Sequence, residues 1–191
     1  MNWMEDVRRR LAVRPRRNPE KGNARRAAVL VPLFVRERML WIVFTRRTET
    51  VEHHRGQISF PGGVEEPIDD DLSATALRET YEELGILPED VRLLGTLSPI
   101  VTVTDFYVAP FVAAIPQPYV FSPAETEIAE VVEAPVAALS DPAVKETKFL
   151  ADRDEPVLFY RYGRHVIWGA TARILAELLE ALAGDSGSGL H

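Results

Sequence analysis

The stretch from Gly63 to Ile86, GVEEPIDDDLSATALRETYEELGI, decides how the rest of the chain is read. Its spacing predicts a helix from Asp71 to Leu84. Asp69, Asp70 and Asp71 crowd the start, where the helix dipole favours negative charge, and Gly85 suits the residue just past the end. Ala74, Leu77, Tyr81 and Leu84 recur at helical spacing and form the expected buried stripe. Glu79, Glu82 and Glu83 project from another side, and Arg78 stands four residues before Glu82, where the two can pair. A charged, solvated helix face is the plain explanation of such a pattern. Two costs argue for more. Glu82 and Glu83 lie in the last turn, where negative charge costs about 0.3–1 kcal/mol each. Glu79 and Glu83 are a like-charged pair four apart, worth roughly 0.2–0.5 kcal/mol of repulsion, and no lysine follows to relieve it. A divalent cation offsets both costs, and an oxygen-only donor set favours Mg²⁺ or Mn²⁺ over zinc. Gly62-Gly63 lets the backbone come close enough for a peptide carbonyl to join the carboxylates as a ligand.

Outward from this helix the elements are mixed. Residues 3–12 read as a short amphipathic helix, and Ala27–Val35 with Met39–Phe44 as a hairpin turning at Arg36–Arg38. Pro32 argues for an edge position of the first strand. A loop, Thr48–Gly56, a short extended piece, Gln57–Phe60, and a Pro61-Gly62-Gly63 turn lead into the carboxylate helix. Strands are expected at 91–97, 106–115, 157–162 and, after Gly163, 164–167. A last helix spans 169–183 and ends at Gly184, and the tail from 185 to 191 reads as disordered. With no internal repeat, residues 1–184 are expected to form one layered domain, α+β or α/β, whose first 26 residues are a basic helix and arm.

Composition narrows the classes. A chain of 191 residues, 46% hydrophobic and 27% charged, is long enough for one real core. No apolar run reaches the roughly 18 residues a membrane helix needs, and the start shows no secretory signal, so a cytoplasmic protein is expected. Zero cysteines exclude disulfides and thiolate metal sites. The net charge of −7 argues against a general nucleic-acid binder. The arginines crowding residues 8–26 read as a solvated arm, or as the source of one or two contacts to an anionic ligand.

Arg78-Glu79, Glu82-Glu83 and Gly85-Ile86, set behind Gly63, resemble the Nudix box: G, five residues, E, seven residues, R-E, an apolar residue, any residue, E-E, any residue, G, an apolar residue. Asp70 stands where the first glutamate belongs when one counts back from Arg78, the loop from Gly63 to that acid is one residue longer, and Thr80 replaces the aliphatic residue. Upstream, Val43-Phe44-Thr45-Arg46-Arg47 and Gly56-Gln57-Ile58-Ser59-Phe60-Pro61-Gly62-Gly63 are similar to a motif of the coenzyme A pyrophosphatase branch of that family, except that Glu52 occupies its middle arginine position, with His53, His54 and Arg55 following. Phe106–Val112, Glu127–Glu130 and Pro135 look family-like too.

This resemblance implies an α/β/α sandwich with a mixed sheet and a loop-helix-loop catalytic motif. It also implies water attack on the diphosphate of a nucleoside diphosphate derivative. Glu79, Glu82, Glu83 and the Gly63 carbonyl would hold the metal, Arg78 would orient the carboxylates, and Glu127 is the first candidate for a general base, with Glu125 and Glu130 as rivals. The implied partner is a small nucleotide of the coenzyme A class, cleaved to adenosine 3′,5′-bisphosphate and 4′-phosphopantetheine. Arg46, Arg47 and Arg55 would meet its phosphates, with Arg25 and Arg26 less securely placed. ADP-ribose or NADH is the alternative substrate, favoured by Glu52, and a non-catalytic nucleotide-binding domain is a further reading. His53 and His54 lack a third well-spaced ligand and suit a surface or substrate-lining role rather than zinc. Trp168, Phe159, Tyr160 and Tyr162 suit the core better than base stacking.

Overall fold

The N-terminal residues 3–13 form an amphipathic helix, α1 (Trp3–Val13), which buries Val7 and Leu11. A computed structural model of the chain describes residues 2–49, 56–150 and 156–183. After α1 come β1 (Arg25–Arg36) and β2 (Met39–Arg47), an antiparallel hairpin with Leu33 opposite Ile42 and Arg36 opposite Met39. Its two turn residues, Glu37 and Arg38, both have positive φ (52° and 66°), the backbone that matches the twist of a tight hairpin. Then follow β3 (Ile58–Ser59), β4 (Gly62–Val64), α2 (Leu72–Leu84), β5 (Arg92–Thr96), β6 (Ile100–Val101) and β7 (Phe106–Ala114). The chain continues through β8 (Ile128–Pro135), a single turn of helix, α3 (Val136–Leu139), β9 (Lys145–Lys148), β10 (Val157–Tyr162), β11 (His165–Trp168) and α4 (Gly169–Ala183).

The main sheet is mixed. β1 runs parallel to β7 over nine paired positions and antiparallel to β2, while β8 pairs with β2 alone and makes an outer edge. Side chains alternate across it. Val31, Leu33, Ile42, Phe44, Val112 and Ala114 face α1 and α4 and meet Leu11, Leu175 and Leu178. Their neighbours Ala28, Leu30 and Ala113 pack on Ala76 of α2, and Phe34 and Val43 pack on Leu84 and Ile86. Helices thus cover both faces, the α/β/α sandwich that the sequence implied. β9, β10 and β11 form a separate antiparallel sheet whose Tyr160 and Ile167 join the core shared with α4. Phe159 and Trp168 stack on one another across it. At the far end α1 is clasped to α4: Arg10 donates to the Leu182 carbonyl (2.8 Å) and Arg14 to Glu180 (2.8 Å). No helix among the described residues is long and apolar enough to cross a membrane.

Four expectations need correction. Pro32 lies in a central strand, not at an edge. Backbone N–H groups alternate sides along a strand, and the Leu30 N–H points to the Pro61 carbonyl, so position 32 faces that side too. There the β4 pairing has ended at Val29 and the β2 pairing starts only at Leu33, so no ladder bond is lost. Second, Gly62 and Gly63 are not merely a turn. They form β4 against β1, with Gly63 opposite Ala28. Third, the buried stripe of α2 is rotated: Thr75, Ala76, Thr80, Glu83 and Leu84 are buried, whereas Tyr81 is half exposed. Small residues let the helix lie close on β1, and the Thr80 hydroxyl is satisfied by the Ala76 carbonyl (2.7 Å). Fourth, β8 went unpredicted, and Glu130 lies on it rather than in a loop. The expected end at Gly184 and the tail beyond it fall outside the described residues, as does part of the Thr48–Gly56 loop.

Gly62 has φ +152°, and a Cβ there would lie 2.2 Å from the Ala28 carbonyl oxygen and 2.6 Å from Val29 Cα, backbone atoms of the strand it pairs with. Gly62→Ala is therefore expected to cost roughly 1–3 kcal/mol or more, clearly above Gly22→Ala, whose Cβ meets nothing within 4 Å. Urea denaturation of both variants checks this; equal midpoints would refute the close-approach argument.

Candidate active site

Two caps and one arginine hold the carboxylate helix in place. The Asp71 side chain accepts from the N–H groups of Ser73 (2.7 Å) and Ala74 (2.9 Å), closing the N-terminus. At the other end Gly85 is left-handed (φ 69°) and donates to the Tyr81 carbonyl. The carbonyls of Glu83 and Leu84, which have no partner within the helix, accept from Ala124 (3.0 Å) and Ser122 (2.8 Å). That docking brings the segment carrying Glu127 to the end of α2.

Arg78 ties the incoming loop to the helix. Its Nε and Nη2 donate to the two oxygens of Asp69 (2.9 and 3.0 Å), and Nη2 also donates to the Val64 carbonyl (3.0 Å). Nη1 reaches Glu79 (3.0 Å) and Glu82 (3.2 Å). The Asp69 side chain is 3% exposed and accepts further bonds from the Thr75 hydroxyl and the Glu66 N–H. The Arg78 guanidinium holds the Asp69 carboxyl well below the usual carboxylate range. Asp69, not Asp70, is thus the acid that fills this position, and Asp70 is exposed. Counting forward from Gly63 finds it: Asp69 is the sixth residue on, as the box requires, and the extra residue lies between Asp69 and Arg78.

Glu79 leans against the Gly63 peptide so closely that a Cβ at Gly63 would sit 2.4 Å from its carboxylate. Burial raises the Glu79 carboxyl against the pull of Arg78. Glu83 is 4% exposed, and burial pushes it up to about 8 despite Arg47 and the Gly62 N–H. That N–H donates to Glu83 at 3.3 Å, and Arg47 approaches the same carboxylate at 3.4 Å. Arg47 also stands 3.7 Å from Glu127, whose charge adds to the upward push on both Glu79 and Glu83. Glu82 is the outermost member, about half exposed and linked to Arg78.

Glu79, Glu82, Glu83, Arg78, Gly63 and Glu127 are therefore gathered at one place, and Arg47 with them. Arg46 is not: it points to Glu130 on β8 (3.0 Å), which also binds Arg164 (2.8 Å) and lies 3.4 Å from His165. A cavity of about 350 Å³ opens beside this second group. Arg26 pairs with Glu65 (2.9 Å) at a larger hollow, about 540 Å³, near Lys21, Leu72 and Tyr107, while Arg25 lies over the Phe106 ring. Neither hollow is lined by Glu79, Glu82, Glu83 or Glu127, which lie on the face between β4, α2 and the 122–127 segment. Glu52, His53, His54 and Arg55 fall outside the described residues.

One buried carboxylate, Glu83, and one partly buried, Glu79, beside a bare glycine peptide form an oxygen-only donor set that fits a hard dication. Among the described residues no three of them are drawn into a finished cage. Guanidinium groups space the charges instead, Arg78 between Glu79 and Glu82 and Arg47 between Glu83 and Glu127.

A mixed sheet between helix layers, with a glycine strand and a glutamate-rich helix at its open end, defines the class of α/β/α proteins that present a carboxylate helix to a ligand. The NUDIX domain family model matches residues 24–155, and the chain belongs to that family. It is 36% identical over 172 residues to an "Uncharacterized Nudix hydrolase NudL" of Enterobacter sp. (strain 638), covering 87% of each chain. It is 37% identical over 177 residues to the protein of the same description from Cronobacter sakazakii, again covering 87% of each. Among solved structures, a MutT/nudix family protein from Enterococcus faecalis superposes with a TM-score of 0.58 at 16% identity, over 88% of this chain and 65% of that one, a likeness of fold. Nudix hydrolases act on nucleoside diphosphate derivatives and generally use divalent ions such as Mg²⁺ or Mn²⁺.

Two outcomes follow. Asp69→Asn should destabilise the protein by about 3 kcal/mol, because it strands the partly buried Arg78, whereas Asp70→Asn should change stability by less than about 0.5 kcal/mol. The Asp69 contribution is complete above its unfolded value near pH 3.9 and is lost as pH falls below that, so thermal melts of both variants should converge with wild type in acid. The second outcome concerns Glu83. Its folded value, about 8, lies above the unfolded one, so the metal-free protein loses stability as pH rises from roughly 4.3 towards 8. Glu83→Gln should remove that loss and melt higher than wild type in EDTA at alkaline pH. Identical melting profiles across the range would show that burial does not govern Glu83.

Proposed function

We propose that this chain hydrolyses the diphosphate of coenzyme A and its close derivatives, giving adenosine 3′,5′-bisphosphate and 4′-phosphopantetheine. The observation that carries this reading is the buried Glu83 and the Glu79 carboxylate set against Gly63, with Arg47 of the coenzyme A-type upstream motif turned onto the same cluster. Mg²⁺ or Mn²⁺ would be held by Glu79, Glu82, Glu83 and the Gly63 carbonyl; when bound, it neutralises diphosphate charge and makes bound water more acidic. Arg78, anchored by Asp69, holds Glu79 and Glu82 in their orientation through its Nη1. Glu127 is half exposed and next to the cluster, a suitable acceptor for the proton of the attacking water. Glu130 is engaged by Arg46 and Arg164, which weakens its claim to that role. Arg47 supplies positive charge for the diphosphate, and Arg46, in a group with Arg164 and His165, supplies it further out for the 3′-phosphate. Arg55, three residues after the arginine position that Glu52 occupies, is the third candidate for phosphate.

Glu52 at the motif's middle arginine position supports a second reading, a diphosphatase for ADP-ribose or NADH. A substrate panel with each metal separates the two, and mass spectrometry of products formed in oxygen-18 water reports scissile bond and attacked phosphorus together. With saturating Mg²⁺, Glu79→Gln, Glu82→Gln and Glu83→Gln should each lower kcat by at least about 10²-fold with a smaller change in KM. Near-normal turnover in Glu82→Gln or Glu83→Gln would refute the ligand assignment. Glu127→Gln should slow turnover by roughly 10²-fold or more, and Glu125→Gln and Glu130→Gln far less; equal mild effects in all three would remove Glu127 as base. If Arg46→Ala and Arg47→Ala keep the wild-type preference for coenzyme A over its 3′-dephospho form, the 3′-phosphate contact is wrong.

A further inference from the structure

The two arginines among the carboxylates are held in different ways. Arg78 is bidentate to Asp69 and donates to a backbone carbonyl and two glutamates, with every contact between 2.9 and 3.2 Å. Arg47 approaches Glu83 at 3.4 Å and Glu127 at 3.7 Å, and its Nε is buried with no hydrogen-bond partner among the described residues. Charge-assisted bonds of a settled pair run about 2.7–2.9 Å, so Arg47 sits in the field of these carboxylates without locking onto either. Successive side chains of a strand point to opposite faces, so the two consecutive arginines of β2 serve two different acidic groups, Glu130 and the Glu83–Glu127 pair. Arg47 also bridges two separate elements, α2 and the 122–127 segment.

A guanidinium and a dication do not share a few ångströms of space comfortably, since their repulsion is strong where water is scarce. We infer that Arg47 is the resident counter-cation of this cluster. It stands against Glu83 and Glu127 while the metal is away, moves off those carboxylates when a divalent cation enters, and thereby frees its fork of donors for the substrate's diphosphate. The phosphate-binding arginine is then released by the same event that completes the site. This inference rests on the metal-dependent reading proposed above.

The test uses the full chain without substrate and reads no turnover. Nε–H signals of ¹⁵N-arginine-labelled protein are followed as Mg²⁺ is added, with the Arg47 signal identified by its loss in Arg47→Lys. That signal should move saturably and further than any other arginine signal. In calorimetry Arg47→Ala should bind Mn²⁺ roughly tenfold tighter than wild type, with Arg47→Lys in between, a conservative variant that keeps the charge if Arg47→Ala folds poorly. An Arg47 signal unmoved at saturating Mg²⁺, or Mn²⁺ affinity in both variants equal to wild type, overturns the exchange while leaving the metal site standing. If Glu83→Gln binds Mn²⁺ as tightly as wild type, the metal site itself is misassigned, and the exchange falls with it.

Discussion

The site depends on carboxylates kept out of water without enough positive charge to satisfy them. Keeping an ionised group out of water is costly, and Glu83, at 4% exposure with one backbone N–H and one loosely placed guanidinium beside it, has its carboxyl pushed up by that burial. Glu79 lies nearly against the Gly63 peptide. A protein built only for stability would place apolar residues on this face of α2. The remaining architecture can be understood as the means of keeping that expense: caps at both ends of the helix, an arginine locked by Asp69, and a strand of glycines where any side chain would collide.

Arg78 and Asp69 fix the geometry on which this depends. The planar fork of arginine matches a carboxylate in two places at once, and Asp69 is further fixed by Thr75 and the Glu66 backbone. A loop of eight residues between Gly63 and Leu72 is thereby made nearly as definite as the helix it precedes. Glu79 and Glu82 are then presented from a guanidinium that has no freedom to leave, in contrast to Arg47.

Much of this was legible in the amino-acid sequence, for physical reasons that also explain the failures. Helices α2 and α4 announce themselves by apolar spacing and by glycine or aspartate at their ends, and the β1–β2 hairpin by two β-branched runs around a polar turn. β8 was hidden because Glu130 and Glu133 are three apart, a helical interval, and a strand at the outer edge tolerates charge on either face. Strands of two or three residues, such as β3, β4 and β6, are too short to carry a period at all. The stripe of α2 was misjudged because large apolar residues were taken as the buried ones; close packing on β1 selects Ala76 and Thr80 and leaves Tyr81 outside. The glutamate cluster was readable from spacing alone. Asp69 was not, because counting back from Arg78 crosses the inserted residue.

The attachment of Ser122 and Ala124 to the end of α2 has a mechanical consequence. The segment bearing Glu127 takes its position from the same helix that bears Glu79 and Glu83, rather than from β7, which precedes it in the chain. The stretch between Ala114 and Ser122 is tied down beside the same helix end, since the Tyr119 hydroxyl accepts from the Leu87 N–H (2.9 Å) and donates to Asp90 (2.9 Å). The proposed base and the proposed ligands thus both take their positions from α2, and a shift of that helix would carry them together.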